Sequence, residues 1–152
     1  LSAFDMTVCY HGRGKKDDQP SEYYDDLKAM ATDCDFLVLS CAGGPETAGI
    51  IDYDVMEALG PKGILVNVAR GSVVKEQDLL AALANKVLGS AGLDVYAHEP
   101  HVPEALYKMD NVVLLPHIGS ATHETRGKMG QLVVDNLRAH FDGKPLITQV
   151  AA

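Results

Sequence analysis

The sequence predicts an α/β fold organised as a doubly wound parallel sheet, and three observations support this. Short apolar runs recur along the chain, segments with helical spacing of apolar residues separate them, and Gly- or Pro-containing breaks punctuate the alternation. In addition, Arg70, Glu99 and His117 each fall just beyond the end of an apolar run: 64–69, 90–95 and 112–115 respectively. In an open parallel sheet, ligands bind in the crevice outside the carboxyl ends of the strands. A fixed cation, a carboxylate and an imidazole gathered there could bind an anionic carbonyl compound and move a proton.

The elements follow in order. Residues 6–10 read as a short strand ending in the polar sequence His11-Gly12-Arg13-Gly14. A helix is expected over 22–32, with Leu27, Met30 and Ala31 on one face. Residues 36–41 form a near-continuous apolar run of the type buried on both faces of a sheet. Asp52 is a good N-cap for a helix that stops at Gly60-Pro61. Strand 64–69 leads to a helix over 75–86, with Leu79, Leu80 and Leu83 at helical spacing, and strand 90–95 follows. Strand 112–115 closes the sheet. A long helix over 122–141 carries Met129, Leu132, Val133, Asn136, Leu137 and His140 on one stripe, which is expected to be exposed. Strands separated by helices of this length imply right-handed crossovers.

Composition narrows the class. The 152 residues carry a net charge of −8, which argues against a nucleic-acid surface, where a basic stripe is expected. No apolar run approaches a bilayer span, so no membrane partner is expected. Cys9, Cys34 and Cys41 lack close-paired metal-ligand spacing, so no metal site is expected. All three lie in or beside apolar segments and read as buried free thiols of a reducing, cytoplasmic compartment.

The local sequences are more specific than the residue types. Asn67-Val68-Ala69-Arg70-Gly71, then Gly92-Leu93-Asp94-Val95 with His98-Glu99-Pro100, then Leu115-Pro116-His117-Ile118-Gly119-Ser120-Ala121-Thr122 occur in this order. Together they closely resemble the D-2-hydroxyacid dehydrogenase family, over residues 4–150. The resemblance implies a Rossmann-like sheet and three catalytic residues. Arg70 would grip the substrate carboxylate and polarise the carbonyl, a role that suits a planar guanidinium fork. His117 would supply the proton to the ketone oxygen, and Glu99 would favour its charged form. Family members that oxidise formate carry glutamine at the position of Glu99, which argues against formate as substrate.

The same resemblance assigns the cofactor end. Asp94 would orient the nicotinamide carboxamide, with Val68, Ala69, Arg70 and the turn His117, Ile118, Gly119 and Ser120 lining that end. Cys41 and Ala42 would lie near the adenosine portion, where Gly43-Gly44 replaces a bulkier pair. NAD-dependent relatives place an acid after the strand at 6–10 to bind the ribose 2′-hydroxyl, whereas an arginine accommodates a 2′-phosphate. Here His11, Gly12, Arg13 and Gly14 stand there, with no acid before Asp17. NADPH is therefore expected over NADH.

No G-x-G-x-x-G occurs in the chain, and the family places that loop just before Leu1. The expectation is a partial sheet lacking its first strand and phosphate loop, the later half of a longer polypeptide that is not active alone. Residues 1–120 would form the partial NAD(P)-binding domain, and 121–152 a helix and tail returning towards the substrate domain. Within the family, the segments 59–63, 98–104 and 136–145 look most like glyoxylate/hydroxypyruvate and hydroxyphenylpyruvate reductases. The resemblance thus implies reduction of a 2-keto acid to the D-2-hydroxy acid by a homodimer. Two alternatives stand beside it: a dinucleotide-sensing corepressor-like protein, and an NAD-linked phosphoglycerate dehydrogenase. The absent ribose-binding acid counts against the second.

Overall fold

The computed structural model describes residues 2–150. Its main sheet has four parallel strands in the order β3-β4-β5-β6: Phe36–Leu39, Ile64–Asn67, Ser90–Leu93 and Val112–Leu114. Before it, β1 (Cys9–Tyr10) and β2 (Glu22–Tyr23) form a separate parallel pair. Helices α1 (Leu27–Asp33), α2 (Tyr53–Leu59) and α3 (Glu76–Ala84) pack side by side. The chain divides into two compact units, the first ending at Pro116 and the second beginning at His117. The second is built on α4, His123–Phe141.

Helix α2 matches its expected bounds because its end signals are strong. Asp52 accepts the Val55 N–H at 3.3 Å, and Gly60 closes the helix at φ 84°, where a side chain would be strained. The expected helix at 22–32 is corrected. Glu22 and Tyr23 instead pair with β1, and the helix starts at Leu27 because Asp26 caps the Lys28 N–H at 2.9 Å. The β-prone Tyr23-Tyr24 pair outweighs helical spacing there. Strand β1 in turn is limited to the two residues that β2 can pair.

The core lies on one face of the main sheet. Leu37, Leu39, Leu65 and Leu93 from the strands meet Met30, Val55, Met56, Leu79 and Leu83 from the helices. Each such side chain contributes about 1.5–3 kcal/mol on burial. Strand β3 is not buried on both faces as expected: Phe36 and Val38 are 47% and 43% exposed, while Leu37 and Leu39 are buried. The helical layer covers only the face to which alternate residues point. The cysteines also depart from expectation. All three are free thiols, but Cys9 and Cys34 are half-buried, with their sulfurs 3.5 Å apart, and Cys41 is exposed beyond the end of β3. Burial pushes the Cys34 thiol up to about 12, with Cys9 alongside adding to the shift.

In the second unit, Thr122 caps α4 by accepting the Thr125 N–H at 3.1 Å. Met129, Leu132, Val133 and Leu137 on its stripe are exposed. Asn136, counted on that stripe, has a structural task instead. Its Oδ1 accepts the Ile147 and Thr148 N–H groups at 3.0 and 3.2 Å and returns the tail onto the helix. No helix among the described residues is long and apolar enough to cross a membrane.

Candidate active site

The turn that presents Arg70 is dictated by one buried amide. Asn67 ends β4 and is 1% exposed. Its Oδ1 accepts the Ala69 N–H at 3.0 Å and its Nδ2 donates to the Arg70 carbonyl at 3.1 Å. The side chain thus saturates the backbone of the turn it precedes, as a buried polar group must. Ala69 faces inward, whereas Val68 and Arg70 are exposed. The Arg70 guanidinium rests on its neighbour, with Nη1 donating to the Ala69 carbonyl at 2.6 Å.

Two glycines bring the neighbouring loops onto this turn. A Cβ on Gly71 would overlap the Tyr96 carbonyl, so the turns after β4 and β5 touch through backbone. A Cβ on Gly43 would stand 2.8 Å from Arg70 Cγ, so the loop after β3 closes over the arginine stem. The absence of a bulkier residue at 43 is therefore matched to Arg70. The Glu99 Oε1 accepts the Tyr96 N–H at 3.0 Å, which ties the carboxylate to the same turn. Asp94 is buried, and its N–H donates to the Asn67 carbonyl at 3.0 Å.

Tyr96 links the strand ends. Its hydroxyl donates to the Leu115 carbonyl at 2.8 Å, with the Leu93 carbonyl 3.2 Å away. Burial raises its phenol above the usual range. Neither Asn67 nor Tyr96 stands out in the sequence as a site-forming residue. The available signal was a polar or amphipathic residue inside or just after an apolar strand, which must find a partner if buried.

Cys41 and Ala42 lie exposed in the loop after β3, where the Ala42 carbonyl accepts the Thr47 hydroxyl at 2.7 Å. At the end of β1, His11 Nδ1 lies 3.0 Å from the Tyr24 carbonyl; a carbonyl can only accept, so the hydrogen is assigned to Nδ1. Gly12, Arg13 and Gly14 follow in an exposed turn. His117 opens the second unit, exposed and at φ 53°, a left-handed conformation uncommon for histidine. Ile118, Gly119 and Ser120 continue from it, with the Ala121 N–H donating to the Ile118 carbonyl at 3.1 Å.

The loops that carry Arg70 and Glu99 thus meet beyond the carboxyl ends of parallel strands, the edge at which open α/β sheets bind ligands. The comparison with known families makes this specific: residues 1–119 match the NAD-binding domain of the D-isomer specific 2-hydroxyacid dehydrogenases, and the chain belongs to that family. It is 51% identical to hydroxyphenylpyruvate reductase of Plectranthus scutellarioides over 148 residues, 97% of this chain and 47% of the relative. It is 49% identical to glyoxylate/hydroxypyruvate reductase A of Arabidopsis thaliana over the same shares of the two chains. Among solved structures, it is similar to the NADPH-dependent glyoxylate/hydroxypyruvate reductase of Sinorhizobium meliloti in complex with NADP and malonate. That match has a TM-score of 0.96 and 45% identity and covers 99% of this chain and 47% of the other. The chain therefore spans about half the length of the curated relatives it matches.

Proposed function

We propose that this chain is the cofactor-binding half of an NADPH-dependent reductase. Its substrate would be a 2-keto acid of the glyoxylate/hydroxypyruvate or arylpyruvate type, and its product the D-2-hydroxy acid. The observation that carries this reading is the Arg70 turn, shaped by buried Asn67 and pressed against the turn that holds Glu99. Such a turn holds a guanidinium at a fixed strand end, where it can bind a carboxylate through two parallel hydrogen bonds. It also draws electron density from the adjacent carbonyl. His117 delivers a proton to the carbonyl oxygen as negative charge develops there, and Glu99 favours the protonated imidazole. Relatives named as reductases of glyoxylate, hydroxypyruvate and hydroxyphenylpyruvate support the substrate class.

The residues present fit a dinucleotide. The loops after β3, β4 and β5 meet at the carboxyl edge of the sheet, and the turn after β1 offers Arg13, Lys15 and Lys16 with no carboxylate before Asp17. That donor set suits a 2′-phosphate better than a ribose diol. Asp94, Val68, Ala69 and the turn 117–120 would hold the nicotinamide end, with Cys41 and Ala42 towards the adenosine. When bound, the nicotinamide supplies the hydride. A homodimer in the cytoplasm completes the reading.

The test is steady-state NADPH oxidation by the polypeptide joined to its substrate-binding half, with hydroxypyruvate, glyoxylate and 4-hydroxyphenylpyruvate, each repeated with NADH. Turnover with NADPH that falls about 10²–10³-fold or more in Arg70→Ala and His117→Ala supports the assignment. Tight dinucleotide binding without turnover of any keto acid would favour a sensing protein instead.

A further inference from the structure

The turn after β1 has little to hold it from within. Residues 12–20 are exposed, and a Cβ at Gly12 or Gly14 would meet open space. Its two feet are nonetheless gripped from outside. Tyr10 and Tyr23 are register partners across β1 and β2, so their side chains share a face, with ring centroids 5.3 Å apart and the planes tilted by 53°. The Tyr10 hydroxyl accepts the Lys16 N–H at 2.7 Å and faces the Lys16 carbonyl at 3.4 Å. The Tyr23 hydroxyl donates to the Gly12 carbonyl at 3.3 Å. His11 is fixed to the Tyr24 carbonyl. One phenol therefore pins the outgoing arm and the other the returning arm, with Arg13, Gly14 and Lys15 spanning the gap.

We propose that Tyr10 and Tyr23 are positioning residues that hold the turn 12–16 as a preformed cradle for the 2′-phosphate of the cofactor. The inference rests on the reading that this turn selects NADPH. A glycine-containing loop with long cationic side chains loses much conformational freedom when it closes on an anion. Bracing both feet removes part of that loss before the ligand arrives, so affinity rises without any contact between phenol and ligand. Neither hydroxyl is needed for the core. Both bonds lie at the surface, where water replaces a lost partner at little cost.

The experiment uses Tyr10→Phe, Tyr23→Phe, the double variant and Arg13→Ala in the full-length enzyme. Calorimetry gives Kd for NADPH, NADH and adenosine 2′,5′-bisphosphate, and hydrogen exchange reads the Lys16 amide in the nucleotide-free protein. The double phenylalanine variant is expected to bind NADPH and the bisphosphate about three- to tenfold more weakly. NADH affinity stays unchanged, and the Lys16 amide exchanges faster. Equal weakening for NADPH and NADH would overturn the inference, because it marks a general structural role. So would faster exchange with unchanged affinities. If Arg13→Ala abolishes the preference for NADPH while the phenylalanine variants keep it, the brace is wrong and the cofactor reading stands. If Arg13→Ala leaves the preference intact, the cofactor reading itself falls, and the brace with it.

Discussion

The turn after β4 and the turn after β1 both end a parallel strand, yet they are stabilised in opposite ways. The first is written into the core: buried Asn67 satisfies the backbone of residues 69 and 70, and Gly71 lets that backbone touch Tyr96. The second is solvated, and surface phenols hold it. Under the proposed function, the difference separates two demands. A group that binds the reacting centre gains from a geometry that the fold cannot relax. A group that chooses between two cofactors can sit where substitution changes affinity and leaves the fold intact.

Breaking the first turn is expected to have the largest effect on stability. Asn67→Ala strands the buried Ala69 N–H, while the Arg70 carbonyl keeps the Val73 N–H at 3.2 Å. It should cost about 1–3 kcal/mol, read as a lower midpoint in urea unfolding. A loss below about 0.5 kcal/mol would show that the turn is not held by that amide.

A smaller effect is expected at Asp52, which caps α2 and belongs to neither turn. Burial pushes its carboxyl up, but the Val55 N–H and the Lys75 ammonium 3.4 Å away outweigh this and hold it below the usual range. Because its folded value is depressed, its contribution is present above the unfolded value near 4 and is lost as pH falls through the folded one. Asp52→Ala should cost about 1 kcal/mol at neutral pH, from the cap, with little from the exposed lysine pair. The difference from the parent should fade under acid. A pH-independent difference in thermal unfolding would show that charge plays no part in the cap.

The sequence was most legible where end signals and strand-end motifs coincide. Asp52 and Gly60 bound α2 as expected, and the loops carrying Arg70 and Glu99 follow their strands and meet. It was least legible where the outcome depends on residues distant in sequence. Glu22-Tyr23 became a strand only because β1 lies beside it. Phe36 and Val38 face outward because the helices cover a single face, which an apolar run cannot announce. Asn136 sits at a helical apolar position yet binds the tail at 147 and 148, a partner that spacing alone does not reveal. Asn67 and Tyr96 were hidden for the same reason: their partners are backbone atoms brought near by folding.

The most direct test of the contrast is a paired measurement on Arg13→Ala in the full-length enzyme, combining the ratio of kcat/KM for NADPH over NADH with the unfolding midpoint. The ratio is expected to fall about tenfold or more, as for a lost charge-assisted contact, with the midpoint unchanged. An unchanged ratio would contradict the role of the basic turn in cofactor choice. A fall in stability matching that of Asn67→Ala would contradict the separation of the two turns.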